Sequence, residues 1–127
     1  NADFFKKGRL AAIGMSNKLK NNEIIGLLSD QHLREGIMVP FFGKKIPTPK
    51  TAALMCLKWH VPIYMVRVER FDGTSFRMTI EDKLKIPKSK TDDKKIYEIT
   101  KLISKRIEEW IVDHPEQWLW AHRRWGK

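Results

Sequence analysis

The clearest periodic pattern along the chain lies between residues 94 and 113. Its apolar side chains recur at intervals of three and four residues, which places them on one side of an α-helix. They are Ile96, Ile99, Leu102, Ile103, Ile107, Trp110 and Ile111. The segment therefore predicts one amphipathic helix, with Asp92 or Asp93 as its N-cap. Pro115 ends it before His114, because the residue preceding a proline is pushed out of the helical region.

Residues 61–71 and 75–86 have the composition of two β-strands. The sequence Asp72-Gly73-Thr74 between them is typical of a hairpin turn. In the second strand, apolar and polar side chains alternate, which predicts one buried face and one solvated face. The side chains expected on the buried face are Phe76, Met78 and Ile80.

Residues 24–28 form a short apolar run that predicts a buried strand. Asp30 and Gln31 would then lie at the end of that strand, where open α/β sheets bind their ligands. A loop rich in glycine and proline is expected over residues 36–49, followed by a helix over residues 50–60. This alternation of strands and helices predicts an α/β fold.

Length and composition point to one folded domain over residues 1–127. With 127 residues of which 42% are hydrophobic, the chain can bury one core. No apolar run approaches the roughly 20 residues needed to cross a bilayer, and no secretory leader is recognisable. The single cysteine, Cys56, excludes an intrachain disulfide and a cysteine-based zinc site. Its apolar neighbours predict a buried structural thiol.

The formal net charge of +10 predicts attraction to polyanions. Nucleic acid, the phosphate-rich surface of a membrane and an acidic carrier protein all fit that charge. A solvated basic face without a partner fits it as well, so charge does not choose among them.

The last residues of the chain, 114–127, combine tryptophan with histidine and arginine. Trp118, Trp120 and Trp125 lie close in sequence to Arg123 and Arg124. Tryptophan suits a boundary between apolar and wet surroundings, and arginine matches carboxylates and phosphates in two-point contacts. The combination fits an anionic headgroup attached to an apolar chain. The alternative is a terminal helix whose tryptophans pack on the core while its arginines stay solvated.

Two blocks of the sequence, one at the C-terminus and one upstream, resemble motifs of one known family. H-P-E-Q-W-L-W at residues 114–120, followed by H-R-R-W at 122–125, resembles the C-terminal signature of the bacterial lipid A biosynthesis acyltransferases, within the lysophospholipid acyltransferase superfamily. G-L-L-S-D-Q at 26–31, then G-I-M-V-P-F-F-G at 36–43 and Thr48, is similar to a second block of that family. The resemblance runs from about residue 24 to the end, although residues 72–107 match only in pattern.

The resemblance implies a mixed central sheet flanked by helices, like that of glycerol-3-phosphate acyltransferase. This chain would supply its C-terminal portion, which ends in an amphipathic helix and a Trp/Arg-rich tail. We expect a C-terminal fragment of an acyltransferase domain, without the family's N-terminal membrane helix.

The family's catalytic motif, H-x-x-x-x-D/E, is absent. In that motif the carboxylate orients the histidine as general base for the attacking hydroxyl. For the four histidines of this chain, in order, the residue at the carboxylate position is Ile37, Met65, Leu119 and Lys127. We therefore expect no catalytic residue within the chain, and no acyl transfer by the chain alone.

The resemblance also implies the reaction of the parent enzyme. A fatty acyl group would pass from an acyl carrier protein thioester to a hydroxyl of an anionic, Kdo-bearing lipid A precursor. The enzyme would work at the cytoplasmic face of the bacterial inner membrane, against the membrane surface. No metal ion or organic cofactor is implied, and no nucleic acid is expected as a partner.

Eight residues of the two matching blocks are the candidate substrate-binding residues: Asp30, Gln31, Phe41, Phe42, Thr48, His122, Arg123 and Arg124. The first two could position a hydroxyl or phosphate of the acceptor, the phenylalanines could wall an acyl channel, and the basic residues could bind phosphates or Kdo carboxylates. Each has a structural alternative: a turn cap for the aspartate, core packing for the phenylalanines, and a favourable helix C-terminus for the cations.

Two other functions compete with the enzyme. In a nucleic-acid-binding module the three tail tryptophans would stack on bases while Arg123 and Arg124 contact phosphates. The usual signatures of such modules, an RNP-like strand, a K-homology glycine loop and zinc ligands, are missing. A non-catalytic interaction domain is the third possibility, and the absent base would permit it.

Overall fold

The computed structural model describes residues 4–5 and 9–126. Its helices are α1 (Arg9–Lys20), α2 (Thr51–Trp59) and α3 (Asp92–Asp113), and a single 3₁₀ turn spans Pro115–Gln117. Its strands are β1 (Ile37–Phe41), β2 (Lys44–Thr48), β3 (Tyr64–Asp72) and β4 (Ser75–Lys83). The α/β class is confirmed. The described strands form two separate antiparallel hairpins, β1–β2 and β3–β4, and the single mixed central sheet remains a prediction.

Helix α3 is the centre of the core, as its periodicity predicts. Ile99, Ile103, Ile107 and Ile111, each one turn apart, are buried. They pack with residues from α2 and three of the strands: Phe41, Ile46, Ala53 and Met65. The helix begins differently from the prediction, because the side chain of Thr91 accepts the Lys94 N–H at 3.3 Å as its N-cap. Asp92 and Asp93 lie in the first turn, where the helix dipole still favours them.

The predicted loop over residues 36–49 is wrong, because these residues form the β1–β2 hairpin. Its turn is Phe42-Gly43, and both residues have positive φ (47° and 74°), as a two-residue type I′ turn requires. Pro40 and Pro47, which suggest a loop in the sequence, lie inside the strands. A two-stranded sheet tolerates them because each strand has an outer edge without a partner.

The predicted strand over residues 24–28 is also wrong. The segment has no regular structure, and the side chain of Ile24 is 97% exposed. An apolar run becomes a buried strand only where neighbouring strands accept its hydrogen bonds, and the described part of the chain provides none. Asp30 and Gln31 consequently lie in a turn and a bend, not at the edge of a sheet.

The β3–β4 hairpin and helix α2 agree with the predictions, but the buried face of β4 does not. Phe76, Met78 and Ile80 are 61%, 65% and 63% exposed. Val66 and Val68, the cross-strand partners of Ile80 and Met78 in β3, are exposed as well. We call these five residues the apolar sheet face.

The opposite, charged face of the hairpin is the one that packs on α3. Arg106 Nε donates to the two carboxylate oxygens of Glu81 at 2.9 and 2.8 Å. Trp110 Nε1 also donates to Glu81, at 3.1 Å. These hydrogen bonds orient the hairpin so that its apolar face points away from the described core.

Candidate functional site

The tail, which we define as residues 114–126, is bound along β3 by the amide side chain of Gln117. Its Oε1 accepts the Arg70 N–H at 2.7 Å, and its Nε2 donates to the Arg70 carbonyl at 3.2 Å. The amide thus satisfies both backbone groups of one strand residue, as a neighbouring strand would. Trp120 Nε1 donates to the Pro115 carbonyl at 2.7 Å and closes the tail on itself.

His114, at the start of the tail, lies between two carboxylates. Its Nε2 is 3.1 Å from Glu69 Oε1, and its Nδ1 is 3.3 Å from Glu116 Oε1. A general base needs a ring nitrogen free to take a proton from the substrate. Neither nitrogen of His114 is free, so the arrangement joins the tail to β3 and does not resemble a catalytic dyad.

Arg124 is the most buried functional group of the tail, with 1% of its surface exposed. Its Nη1 donates to the carbonyls of Gln31 (3.2 Å) and Pro47 (3.1 Å). Its Nη2 donates to Thr48 Oγ1 at 3.0 Å. Its Cζ lies 5.1 Å from the centre of the Phe41 ring, a cation–π distance. One guanidinium therefore joins the tail to both parts of the upstream motif block.

The charge of Arg124 is held mainly by neutral oxygens. Burial lowers the pKa of its guanidinium, and attraction to the Asp30 carboxylate partly opposes that effect. No described carboxylate lies within ion-pair distance, and Nε is buried without a hydrogen-bond partner. Because a buried charge is costly unless its donors are satisfied, the three accepting oxygens are essential to this arrangement.

His122 makes the second contact between the tail and the upstream block. Its Nε2 accepts the backbone N–H of His32 at 2.9 Å. Together with the Arg124 contact to Gln31, this bond joins the tail to two consecutive residues of one loop. We refer to residues 30–32 as the 30–32 loop.

The aromatic residues of the hairpin and the tail pack on one another. Phe41 is fully buried, with the rings of Trp125 and Trp118 centred 5.3 and 6.4 Å away. Phe42, on the turn, is 39% exposed, and its N–H donates to Glu108 Oε1 at 2.9 Å. Trp120 stacks on Trp125 and remains 56% exposed.

The structure brings together five of the eight predicted site residues: Gln31, Phe41, Thr48, His122 and Arg124. Phe42 lies at the rim of this cluster, Asp30 acts on it through its charge, and Arg123 is exposed. Their assignment to substrate binding remains a prediction.

Several participants in the cluster and along the tail were missed at the sequence level. The His32 N–H and the Pro47 carbonyl are backbone groups, which carry no side-chain signal. Glu69 lies in another element, far along the chain from His114. Gln117 belongs to the tail string, but nothing in the sequence names Arg70 as its partner.

Other chemistries are not supported by the residues that the structure describes. No group of three or more His, Cys, Asp or Glu side chains among them could hold a metal ion. Cys56 is buried, and burial raises the pKa of its thiol, which disfavours the nucleophilic thiolate. None of the described helices is both long enough and apolar enough to traverse a bilayer.

Comparison with known proteins assigns the family. No curated protein matches the sequence. The family model described as bacterial lipid A biosynthesis acyltransferase matches residues 6–127, a range that contains both halves of the cluster around Arg124. The chain belongs to the bacterial lipid A biosynthesis acyltransferase family.

Proposed function

We propose that this chain is the C-terminal part of an acyltransferase domain that acylates a Kdo-bearing lipid A precursor, with an acyl carrier protein thioester as donor. The observation that carries the proposal is the convergence of two motif blocks of this family at Arg124. Its guanidinium contacts Gln31 and Thr48 of one block from within the other. The role proposed for the chain is to bind and position the acceptor at the cytoplasmic face of the inner membrane.

The reaction needs a base that we place outside this chain. The base takes the proton of the acceptor hydroxyl while its oxygen attacks the thioester carbonyl. The carbon–sulfur bond then breaks, and the carrier thiol leaves with a proton. Within the described residues, His114 has both ring nitrogens engaged and Cys56 is buried. An H-x-x-x-x-D/E motif on another part of the domain would supply the missing group.

The apolar sheet face supports the proposal that such a part packs against this chain. The five residues of this face are about half to two thirds exposed, and the contact recorded on them is that of the Arg70 guanidinium with the Phe76 ring, at 5.3 Å from its centre. Large apolar patches on soluble proteins usually mark interaction sites. The apolar side chains of Ile24 and Leu28 are exposed as well, and they would gain a partner in the same assembly. We propose that the base-bearing part of the domain covers these residues.

The tail exposes apolar, aromatic and basic side chains, which are the kinds that bind an anionic lipid. Phe42, Leu119 and Trp120 present apolar and aromatic surface to solvent, and Arg123 presents a guanidinium. Aromatic and basic side chains together are typical of surfaces that contact lipid headgroups. We propose that Arg123 contacts a phosphate or Kdo carboxylate of the acceptor and that the apolar side chains lie against its acyl chains.

A binding comparison tests this proposal. Vesicles that carry the Kdo-bearing precursor are compared with vesicles of equal charge made from an ordinary anionic phospholipid, and with single-stranded RNA, at equal ionic strength. We expect the precursor vesicles to bind best. Loss of a charge-assisted contact costs about 1.5–3 kcal/mol, so Arg123→Ala should weaken that binding about ten- to hundredfold.

The matched control is Lys101→Ala, which removes an exposed cation from α3 and should change binding little. Equal loss in both variants would mean that only net charge matters. RNA binding that exceeds vesicle binding and survives physiological salt would favour the nucleic-acid module instead. Trp118 and Trp125 pack on Phe41, which leaves Trp120, 56% exposed, as the tail tryptophan with the most surface open to a base.

A further inference from the structure

We propose that Arg124 and His122 are positioning residues for the 30–32 loop, which they hold against the β1–β2 hairpin. They would act on the acceptor through that loop and not by touching the acceptor themselves. The inference rests on the proposed function for the role of the loop, whereas the tail–loop contacts are independent of it.

The first support is that few hydrogen bonds hold the loop to the rest of the chain. Residues 21–36 contain no helix or strand. Between the described residues, the hydrogen bonds that join residues 24–35 to distant parts of the chain both come from the tail. They are the Arg124 bond to the Gln31 carbonyl and the His122 bond to the His32 N–H. Without the tail, this segment would keep only local backbone bonds.

The second support is the geometry of the Arg124 fork. Its two terminal nitrogens reach the 30–32 loop at Gln31 and the end of β2 at Pro47 and Thr48. A planar guanidinium can hold acceptors in several fixed directions, while a lysine ammonium is a point charge on a flexible stem. The Cζ atom of Arg124 also lies 5.1 Å from the centre of the Phe41 ring, a cation–π contact that arginine makes more often than lysine. The site is therefore built for arginine specifically.

The third support is the burial of Arg124 beside an exposed neighbour. Arg124 has almost no accessible surface, so a lipid phosphate cannot reach its donors while the contacts to Gln31 and Thr48 are intact. Arg123, the next residue, is exposed. The two arginines therefore have different roles. Arg123 faces the solvent, and Arg124 holds the backbone next to Asp30 through its bond to the Gln31 carbonyl.

Amide hydrogen exchange of the His32 N–H tests the proposal on this chain directly. We expect Arg124→Ala to speed that exchange at least about tenfold while amides of α3 such as Ile103 stay protected. Arg124→Lys should not restore the protection. Arg123→Ala should leave the His32 exchange unchanged. Unchanged His32 exchange in a folded Arg124→Ala chain would overturn the proposal.

His122→Ala keeps the test decisive if Arg124→Ala fails to fold. It removes only the acceptor of the His32 N–H, so we expect fast exchange at His32 with an intact core. Affinity for vesicles carrying the Kdo-bearing precursor is measured on the same variant and should fall, although Arg123 is still present. If His32 exchange rises and the affinity stays that of the unmodified chain, the loop does not transmit the effect and the positioning role is wrong.

The two readouts separate this inference from the proposed function. If the unmodified chain does not prefer precursor vesicles, the proposed function fails, whatever His32 does. If the unmodified chain prefers precursor vesicles but the His32 exchange rate is the same in Arg124→Ala and His122→Ala as in the unmodified chain, the positioning role is wrong and the proposed function stands.

Discussion

The Nη2 atom of Arg124 donates to the hydroxyl of Thr48 across 3.0 Å and across 76 positions of sequence. The Thr48 hydroxyl lies 3.3 Å from the Ile46 carbonyl, to which it donates. This short chain of hydrogen bonds is buried and links the tail to β2. Arg124, the last arginine of the chain, is therefore part of the folded core, although arginine is among the residues least often buried.

Arg124→Ala and Arg123→Ala should have very different effects on stability. Truncation of Arg124 leaves two carbonyls and a buried hydroxyl without their donor, which should cost about 2–4 kcal/mol of unfolding free energy. Arg123 is exposed, so its truncation should stay within about 0.5 kcal/mol. Urea unfolding measures both. Equal costs for the two variants would contradict the division of roles between them.

The Arg106–Glu81 pair predicts a loss of stability in acid. Hydrogen bonds from Arg106 are the main cause that lowers the pKa of Glu81 below its ordinary value of 4.5. The contribution of the ionised Glu81 side chain to the free energy of unfolding is therefore fully present above pH 4.5. It is lost as the pH falls through the lower pKa that Glu81 has in the folded chain. Glu81→Gln should cost about 1–3 kcal/mol at pH 7.

The difference between the Glu81→Gln variant and the unmodified chain should be constant from pH 7 to about pH 5.5 and shrink below about pH 4.5. Unfolding free energies at several pH values provide the measurement. Asp82→Asn, at the neighbouring exposed carboxylate, is the matched control and should show no such trend. A difference that grows in acid would mean that Glu81 does not stabilise the folded chain through its charged form.

The buried thiol of Cys56 should react slowly. Its pKa is raised by burial, so little thiolate is present at pH 7 and little of it is accessible. A thiol-reactive disulfide reagent should modify the folded chain more than about tenfold more slowly than the chain in denaturant. Comparable rates would mean that the site around Cys56 opens readily.

The apolar sheet face should accept charge in the isolated chain without loss of folding. Val68→Lys and Met78→Lys change side chains that are already exposed, so each should shift stability by no more than about 0.5 kcal/mol. Both should reduce binding of a hydrophobic dye and weaken association with the base-bearing part of the domain. A large loss of stability in the isolated chain would show that this face is covered within it.

The elements predicted best were those whose structure is determined by residues close together in the sequence. The isoleucines of α3 repeat every four residues and pack as their period requires. The hairpin at Gly73 follows from its turn residues. The β1–β2 hairpin was missed because Pro40 and Pro47 suggest a loop, and only the pairing of the two strands shows that their missing N–H groups cost nothing.

Two other wrong predictions concern burial, which depends on what lies opposite. The alternation in β4 is real, but the face turned toward α3 is the one that carries Glu81, which Arg106 and Trp110 bind, beside the buried Met65 of β3. The apolar run at residues 24–28 lacks strand neighbours in the described chain. The motifs shared with the family pointed to the residues around Arg124 as site residues. Neither composition nor spacing predicts that Arg124 is buried while Arg123 is exposed.

We propose that this chain supplies the acceptor side of a lipid A acyltransferase and needs a base from another part of the domain. Acyl transfer from an acyl carrier protein thioester to the Kdo-bearing precursor tests it most directly. One arm uses this chain alone. The other uses a chimera in which residues 24–127 replace the corresponding part of an active family member that carries H-x-x-x-x-D/E.

We expect no product above background from the chain alone and acylated product from the chimera. Arg123→Ala in the chimera should raise the apparent KM for the acceptor more than the KM for the donor, because Arg123 is assigned to the acceptor. Acylated product from the chain alone would show that the chain carries its own base. A folded chimera that binds the precursor and transfers nothing would show that residues 24–127 do not supply the acceptor side.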